Sequence, residues 1–227
     1  MTHSNHRRGS RESLMGDWVV FMAGGGRGVD PSNRAKFTKI LLRHNPVGLS
    51  TSDLETRRRL RYVKGWDSSK DSGLHKGATL EEVKACKTLS GGSAVFADFE
   101  DVRAVVMELV EADLGASVVV SGIFDKVHEA LKQAGKYPHT VNMSAETFGR
   151  VDLLPEPKVL EITTMCGHHM VSSNLVKHLS EEVKKKRMTA EAAAVEMAKQ
   201  CTCNFFNVER AKKLLTEYIS FFLGIQV

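Results

Sequence analysis

The first apolar run of the chain, Trp18-Val19-Val20-Phe21-Met22, is short and unbroken, the pattern of a buried strand. It leads into Gly24-Gly25-Gly26-Arg27-Gly28, after which Asp30-Pro31-Ser32 signals a helix start with proline in the first turn. Phe37, Ile40 and Leu41 follow at helical spacing, and Pro46 ends the segment. Ser52 with Glu55 has the form of a capping box and predicts a short helix carrying Arg57, Arg58, Arg59, Arg61 and Lys64, with Tyr62 and Trp66 among the charges. Asp67 to Gly77 is rich in Ser, Asp, Lys and Gly and reads as an exposed loop. Thr79 and Glu82 form a second capping box, opening a helix with Val83 and Cys86.

The middle of the chain alternates strand and helix patterns. Ala94-Val95-Phe96-Ala97 predicts a strand, and Val102, Val105, Val106, Leu109 and Val110 mark one face of a helix. Ser117-Val118-Val119-Val120 is a β-branched run of the kind found in strands covered on both faces. Phe124, Val127, Ala130 and Leu131 give a helix that stops at Gly135, and Thr140-Val141-Asn142-Met143 is a further strand candidate. This order predicts βαβ units and an α/β fold: a mixed or mostly parallel sheet with flanking helices. In such a sheet the strand ends at Ala23-Gly24, Asp98, Ser121-Gly122 and Asn142 to Ser144 gather into a pocket.

Pro155 and Pro157 mark entry into a last unit, where Val159 to Thr164 alternates like a strand. Leu175, Val176, Leu179 and Val183 give an amphipathic helix ending in Lys184-Lys185-Lys186-Arg187, where the helix dipole favours cations. Thr189 caps an alanine-rich helix, and Asn207 caps a final one with Val208, Ala211, Leu215, Ile219 and Phe222 inward. The organisation expected is a flexible arm over 1–14, an α/β domain with a glycine-rich loop over 15–154, and a Cys/His-bearing, mainly helical C-terminal extension over 155–227 packed on it.

Composition changes this picture little. The 227 residues are 42% hydrophobic and 26% charged, ordinary for a globular chain, and no apolar run reaches the roughly 20 residues of a membrane span. Met1 to Ser13 is polar with no apolar stretch after Arg7, Arg8 and Arg11, so it does not read as a secretory signal. Four cysteines, clustered with histidine, suit thiols in a reducing cytoplasm better than a disulfide framework. A net charge of +5 permits nucleic-acid binding without requiring it; the basic stretch Arg57–Lys64 with its aromatics is the place for it, and a solvated face is the plainer reading. Tyr218 to Val227 is apolar enough to pack on a second subunit or back on the chain itself.

Two stretches carry candidate chemistry. Gly24, Gly25, Gly26, Arg27 and Gly28, between strand and helix, have the ingredients of a phosphate cradle, with Ser121 and Gly122 beside them; they match neither a P-loop nor a dinucleotide fingerprint, so an ordinary turn competes with a small phosphate-bearing ligand. The second is Cys166-Gly167-His168-His169 with Cys201-Thr202-Cys203. Three of the four cysteines fall here, and Cys166, Cys201 and Cys203 with His168 or His169 make a ligand inventory for zinc or a 4Fe–4S cluster. The obstacle is Cys-x-Cys, because in an extended chain one intervening residue sends the two sulfurs to opposite sides. A third use is a thiolate at Cys166, activated by the adjacent histidines for redox or nucleophilic chemistry. Cys86 stands apart and reads as a small apolar residue.

Overall fold

In the computed structural model, which describes residues 7–70, 76–144 and 147–223, every position of strand β1 (Trp18–Met22) is buried. Its side chains alternate between two apolar clusters: Trp18, Val20 and Met22 enter one, Val19 and Phe21 the other. The strand is therefore covered on both sides, and that is why its sequence is an unbroken apolar run.

Five strands form one sheet in the order β3-β2-β4-β1-β5, with β2 Gly48–Ser52, β3 Arg59–Val63, β4 Ser93–Phe96 and β5 Val118–Ser121. Every pairing is antiparallel. The expected mixed or mostly parallel sheet is thus wrong, and the register shows the reason. Helix α2 (Pro31–Arg43) does join two strands of the same direction, β1 and β2, but β4 lies between them; α4 (Phe99–Ala112) joins β4 to β5, with β1 between. The strand–helix alternation is real. What it does not report is an antiparallel strand inserted into each unit. Continuous apolar strands, likewise, record helices on both faces and say nothing of strand direction.

One helical layer contains α2 and α4, with α3 (Leu80–Ala85) and α5 (Phe124–Gln133) beside them; the other contains α6 (Pro157–Thr163), α7 (Ser173–Lys184), α8 (Ala190–Gln200) and α9 (Val208–Leu223). Several local expectations hold: Asp30 caps α2, Thr79 and Glu82 make both bonds of a capping box, and the Asn207 Oδ1 accepts the Arg210 N–H at 3.0 Å. Others do not. The stretch after Ser52 is a hairpin into β3, because the Asp53 carboxylate takes the Glu55 amide and the Thr56 and Thr88 hydroxyls, building a turn where a helix cap was expected. Val159 to Thr164 is helical: Pro157 occupies the first turn, and Val159 and Ile162, three apart, enter the core together. β5 is an edge strand, half-buried at every position, with Val119 packed on one apolar cluster and Val118 and Val120 on the other. Thr140 to Met143 forms no strand; Val141 and Met143 are 51% and 72% exposed. Phe124, expected inward, is 49% exposed and stacks on His128.

Of the arm over 1–14, residues 7–14 lie against the fold. A short helix α1 (Arg11–Leu14) follows Arg7 and Arg8; the Arg7 guanidinium bonds the Asp17 carboxylate, and the Arg8 amide donates to Thr164 Oγ1 at 3.0 Å. No helix among the described residues is long and apolar enough to cross a membrane. The terminal segment over 218–227 lies mostly outside the described residues: the side chains of 220–223, Phe222 included, and all of 224–227.

Candidate functional site

Cys166 stands in the turn after α6, its carbonyl accepting the His169 amide at 2.9 Å, with His169 in the left-handed region at φ 55°. Cys201 closes α8, and the Asn204 amide returns to its carbonyl at 3.0 Å. That four-residue turn removes the obstacle in the sequence: Cys201 Sγ and Cys203 Sγ are 3.5 Å apart. Interaction with Cys201 is the largest influence raising the Cys166 pKa, so the two buried thiols are electrostatically coupled. Cys166 and Cys201 are buried in the same apolar cluster, that of the layer α6 to α9.

The turn is held from below by the sheet. Asn204, left-handed at φ 61°, is buried and donates its side-chain amide to the carbonyls of Leu49 and Tyr62 at 2.9 and 2.6 Å. Strand alternation puts Arg61 on the same face as Val63, under the end of α8. It is 6% exposed and donates to the Cys201 and Lys199 carbonyls at 2.9 and 3.3 Å, the last acceptors of that helix. Its guanidinium lies 5.6 Å over the Trp66 ring, and its Nε is buried with no partner. Among the described residues no carboxylate pairs with it. Burial presses the Arg61 pKa down, while charge on Cys201 or Cys203 favours its cationic form; by reciprocity the cation favours thiolate.

The three thiols are unlike one another. Cys203 is half-buried, and its pKa is lowered to about 7, chiefly by the bond from the Cys201 thiol and then by the Phe205 amide. The Cys166 bond favours a Cys201 thiolate, but Cys203 and burial outweigh it and push Cys201 up to about 11. Cys166 is pushed up further, by its bond to Cys201 and by burial. Of the three, Cys203 is the thiol whose ionisation is favoured, and Cys166, the one expected to carry a thiolate, is pushed the other way. Both histidines of 168–169 are exposed, and among the described residues no group of three or more His, Cys, Asp or Glu is placed to hold a metal ion. Cys86 lies elsewhere, at the end of α3, with its pKa raised by burial.

The glycine-rich loop is not joined to this site. Ala23–Gly26 is a single 3₁₀ turn: its Ala23 amide donates to the Ser117 carbonyl at 2.8 Å, and its Gly24 and Gly26 carbonyls accept the Arg27 and Val29 amides. The N-terminus of α2 already holds the Asp30 carboxylate on the Ser32 amide, where an anion would sit. Ser121 and Gly122 are at the opposite end of β1, since Val19 pairs with Ser121 and Met22 with Val118. Gly122 has a packing reason instead: a Cβ there would lie 2.1 Å from the Trp18 ring. The basic stretch is dispersed as well: Arg58 pairs with Glu82, Lys64 with Glu209, and Arg61 is inside. Two concavities lie elsewhere, a groove of about 630 Å³ beside Lys39, Arg43, Tyr62 and Lys84 and a cavity of about 410 Å³ beside Ser13 and Arg210, and neither is lined by a cysteine.

Sequence reasoning put Arg61 in an exposed basic stretch and passed over Asn204. Arg61 becomes legible only once 59–63 is read as a strand, because alternation then sends it inward; Asn204 carried its own signal, an asparagine able to adopt the left-handed conformation directly after Cys-x-Cys. The chain matches no family model, no curated protein and no solved structure.

Proposed function

We propose that this chain works through thiol–disulfide exchange at Cys203, with Cys201 as the resolving thiol, in a reducing compartment such as the cytoplasm. The observation that carries the reading is the 3.5 Å contact between Cys201 and a half-buried Cys203 whose thiolate is favoured at neutral pH. The Cys203 thiolate attacks one sulfur of a disulfide RS–SR′, the S–S bond breaks, and R′S⁻ leaves and takes a proton. Cys201 then attacks the Cys203 sulfur and displaces RS⁻, its own proton passing to solvent. Two protein thiols are oxidised and one external disulfide is reduced to two thiols. Arg61 and the Phe205 amide favour charge at the attacking sulfur throughout.

The Cys201–Cys203 contact, with Cys166 coupled to Cys201, also favours a second reading, a soft metal or cluster held by these sulfurs. One experiment separates the two. The protein, purified anaerobically, is analysed for zinc and iron and then titrated with oxidised glutathione. The exchange reading expects two thiols lost per chain, two glutathione thiols released, and no reaction at the three cysteines in Cys203→Ser. Stoichiometric metal that shields all three from glutathione would overturn it in favour of the second.

A further inference from the structure

We infer that the groove lined by α2, β3 and α3 binds a nucleoside di- or triphosphate, with the phosphates on Lys39, Arg43, Lys64 and Lys84 and the base on Tyr62. The inference is independent of the thiol chemistry, since no cysteine lines this groove.

The charge pattern carries the argument. Lys39 and Arg43 stand four residues apart on α2, so they share a face, and both line the groove. Lys64, directly after β3, and Lys84, in α3, bring two more cations to it, and no carboxylate lines it. Three of the four cations have a partner outside the groove: Arg43 pairs with Glu108, Lys64 with Glu209 at 2.8 Å and Lys84 with Glu81 at 3.2 Å. All three pairs are open to solvent. Such pairs contribute little, so a phosphate can take over the cation at small cost. Lys39 is exposed and, among the described residues, pairs with no carboxylate.

Beside these charges the groove is apolar. Strand alternation sends Tyr62 to the face opposite Arg61 and Val63, where it packs half-buried on the apolar cluster of α2 and α4. Leu42 and Leu80 line the groove with it. An aromatic ring stacks on any base, and burial raises the Tyr62 pKa, so its hydroxyl stays a neutral donor. Charge density then selects the ligand. A di- or triphosphate concentrates several negative charges, as the groove concentrates cations, and about 630 Å³ lies within the ordinary range of small-ligand sites. A single strand spreads its charge, one per nucleotide, and needs a basic track leading onward. Here the neighbouring cations form none, because Arg58 pairs with Glu82 and Arg61 is buried on the other face.

The test is equilibrium dialysis of the reduced full chain against labelled ATP, with inorganic triphosphate and oligothymidylate as competitors, at low and high salt. One ATP per chain is expected, bound more weakly as salt rises. ATP should bind about tenfold or more tighter than triphosphate, because only the nucleoside reaches Tyr62. Lys39→Ala should weaken ATP and triphosphate alike by about fivefold. Tyr62→Leu, which keeps the apolar contact, should weaken ATP by about tenfold and leave triphosphate unchanged. Lys132→Ala, an exposed cation of α5 outside the groove, should change neither. No binding at millimolar ATP, or binding that both groove substitutions leave intact, would overturn the inference. Oligothymidylate held more tightly than ATP, over several nucleotides, would also overturn it and make the groove part of a nucleic-acid path. None of these outcomes bears on exchange at Cys203.

Discussion

Cys203 owes its character to neighbours at single-residue distance: the Cys201 thiol, the Phe205 amide, and Arg61 beneath. Its iodoacetamide alkylation should inflect near pH 7, while Cys86, raised by burial, should label only at higher pH; mass mapping of each site across pH 5–10 checks this. The same shift acts on stability. A thiol lowered to about 7 in the fold is more acidic there than in the unfolded chain, where it titrates near 8.5, so its contribution is complete above about pH 8.5 and is lost as pH falls through 7. Cys203→Ser should therefore flatten that part of the stability–pH curve measured by urea unfolding. Arg61 is the second test at this scale. Arg61→Ala leaves the Cys201 and Lys199 carbonyls without their donor and uncovers Trp66, with an expected cost of about 1–3 kcal/mol and an upward move of the Cys203 inflection. Arg61→Lys should restore part of the second effect, because the charge returns even where the two-carbonyl geometry does not.

Elements decide whether these residues meet at all. Two loops, one after α6 and one after α8, carry the sulfurs, and β2 and β3 hold the second loop through Asn204. Asn204→Ala deletes both bonds and sets an alanine at φ 61°, so a loss of about 2–4 kcal/mol in urea midpoint analysis is expected, with slower Cys203 labelling at pH 7; Asn204→Gly keeps the backbone and isolates the bonds. Gly122→Ala forces a methyl into the Trp18 ring and should cost about 1–3 kcal/mol while leaving Cys203 labelling unchanged, a control for destabilisation alone. The sequence was legible where local chemistry and packing agree. The Thr79/Glu82 cap, the run Trp18–Met22 and the amphipathic α7 need only neighbours along the chain. It was opaque where a distant partner chose between local options. Ser52/Glu55 has a cap signature that Asp53 overrides with the help of Thr88, and Val159–Thr164 alternates like a strand yet has no strand to pair with. The cysteines were legible as a cluster, but their order was not, since it depends on a turn anchored to strands far away in sequence.

At the scale of the whole molecule, the segment before β1 ties the two cysteine loops to the sheet. Arg7 bonds the carbonyl of Phe205, two residues past Cys203, and the Arg8 amide bonds Thr164, two residues before Cys166. Both loops are thus referred to one buried centre, in which Asp17 accepts from Arg7 and Arg210 and the Asn207 amide, while Glu161 stands 3.7 Å from Arg210. Two guanidiniums meet on the one Asp17 carboxylate, while Glu161 also pairs with Lys158 at 3.3 Å. Asp17→Asn keeps the shape and removes the charge that neutralises both arginines inside the protein. Breaking a buried pair from one side costs about 3–5 kcal/mol, far more than the loss of the exposed Arg11–Asp125 pair, which Arg11→Ala should barely register. Salt discriminates the mechanism: the Asp17→Asn loss should persist at 1 M NaCl, because the centre is out of reach of screening ions. Urea unfolding of both variants at 0.05 and 1 M NaCl, with Cys203 labelling in parallel, checks this. A slower labelling rate in Asp17→Asn under conditions where the protein is still folded would show that the charge centre sets the position of the thiols; an unchanged rate would confine its role to stability.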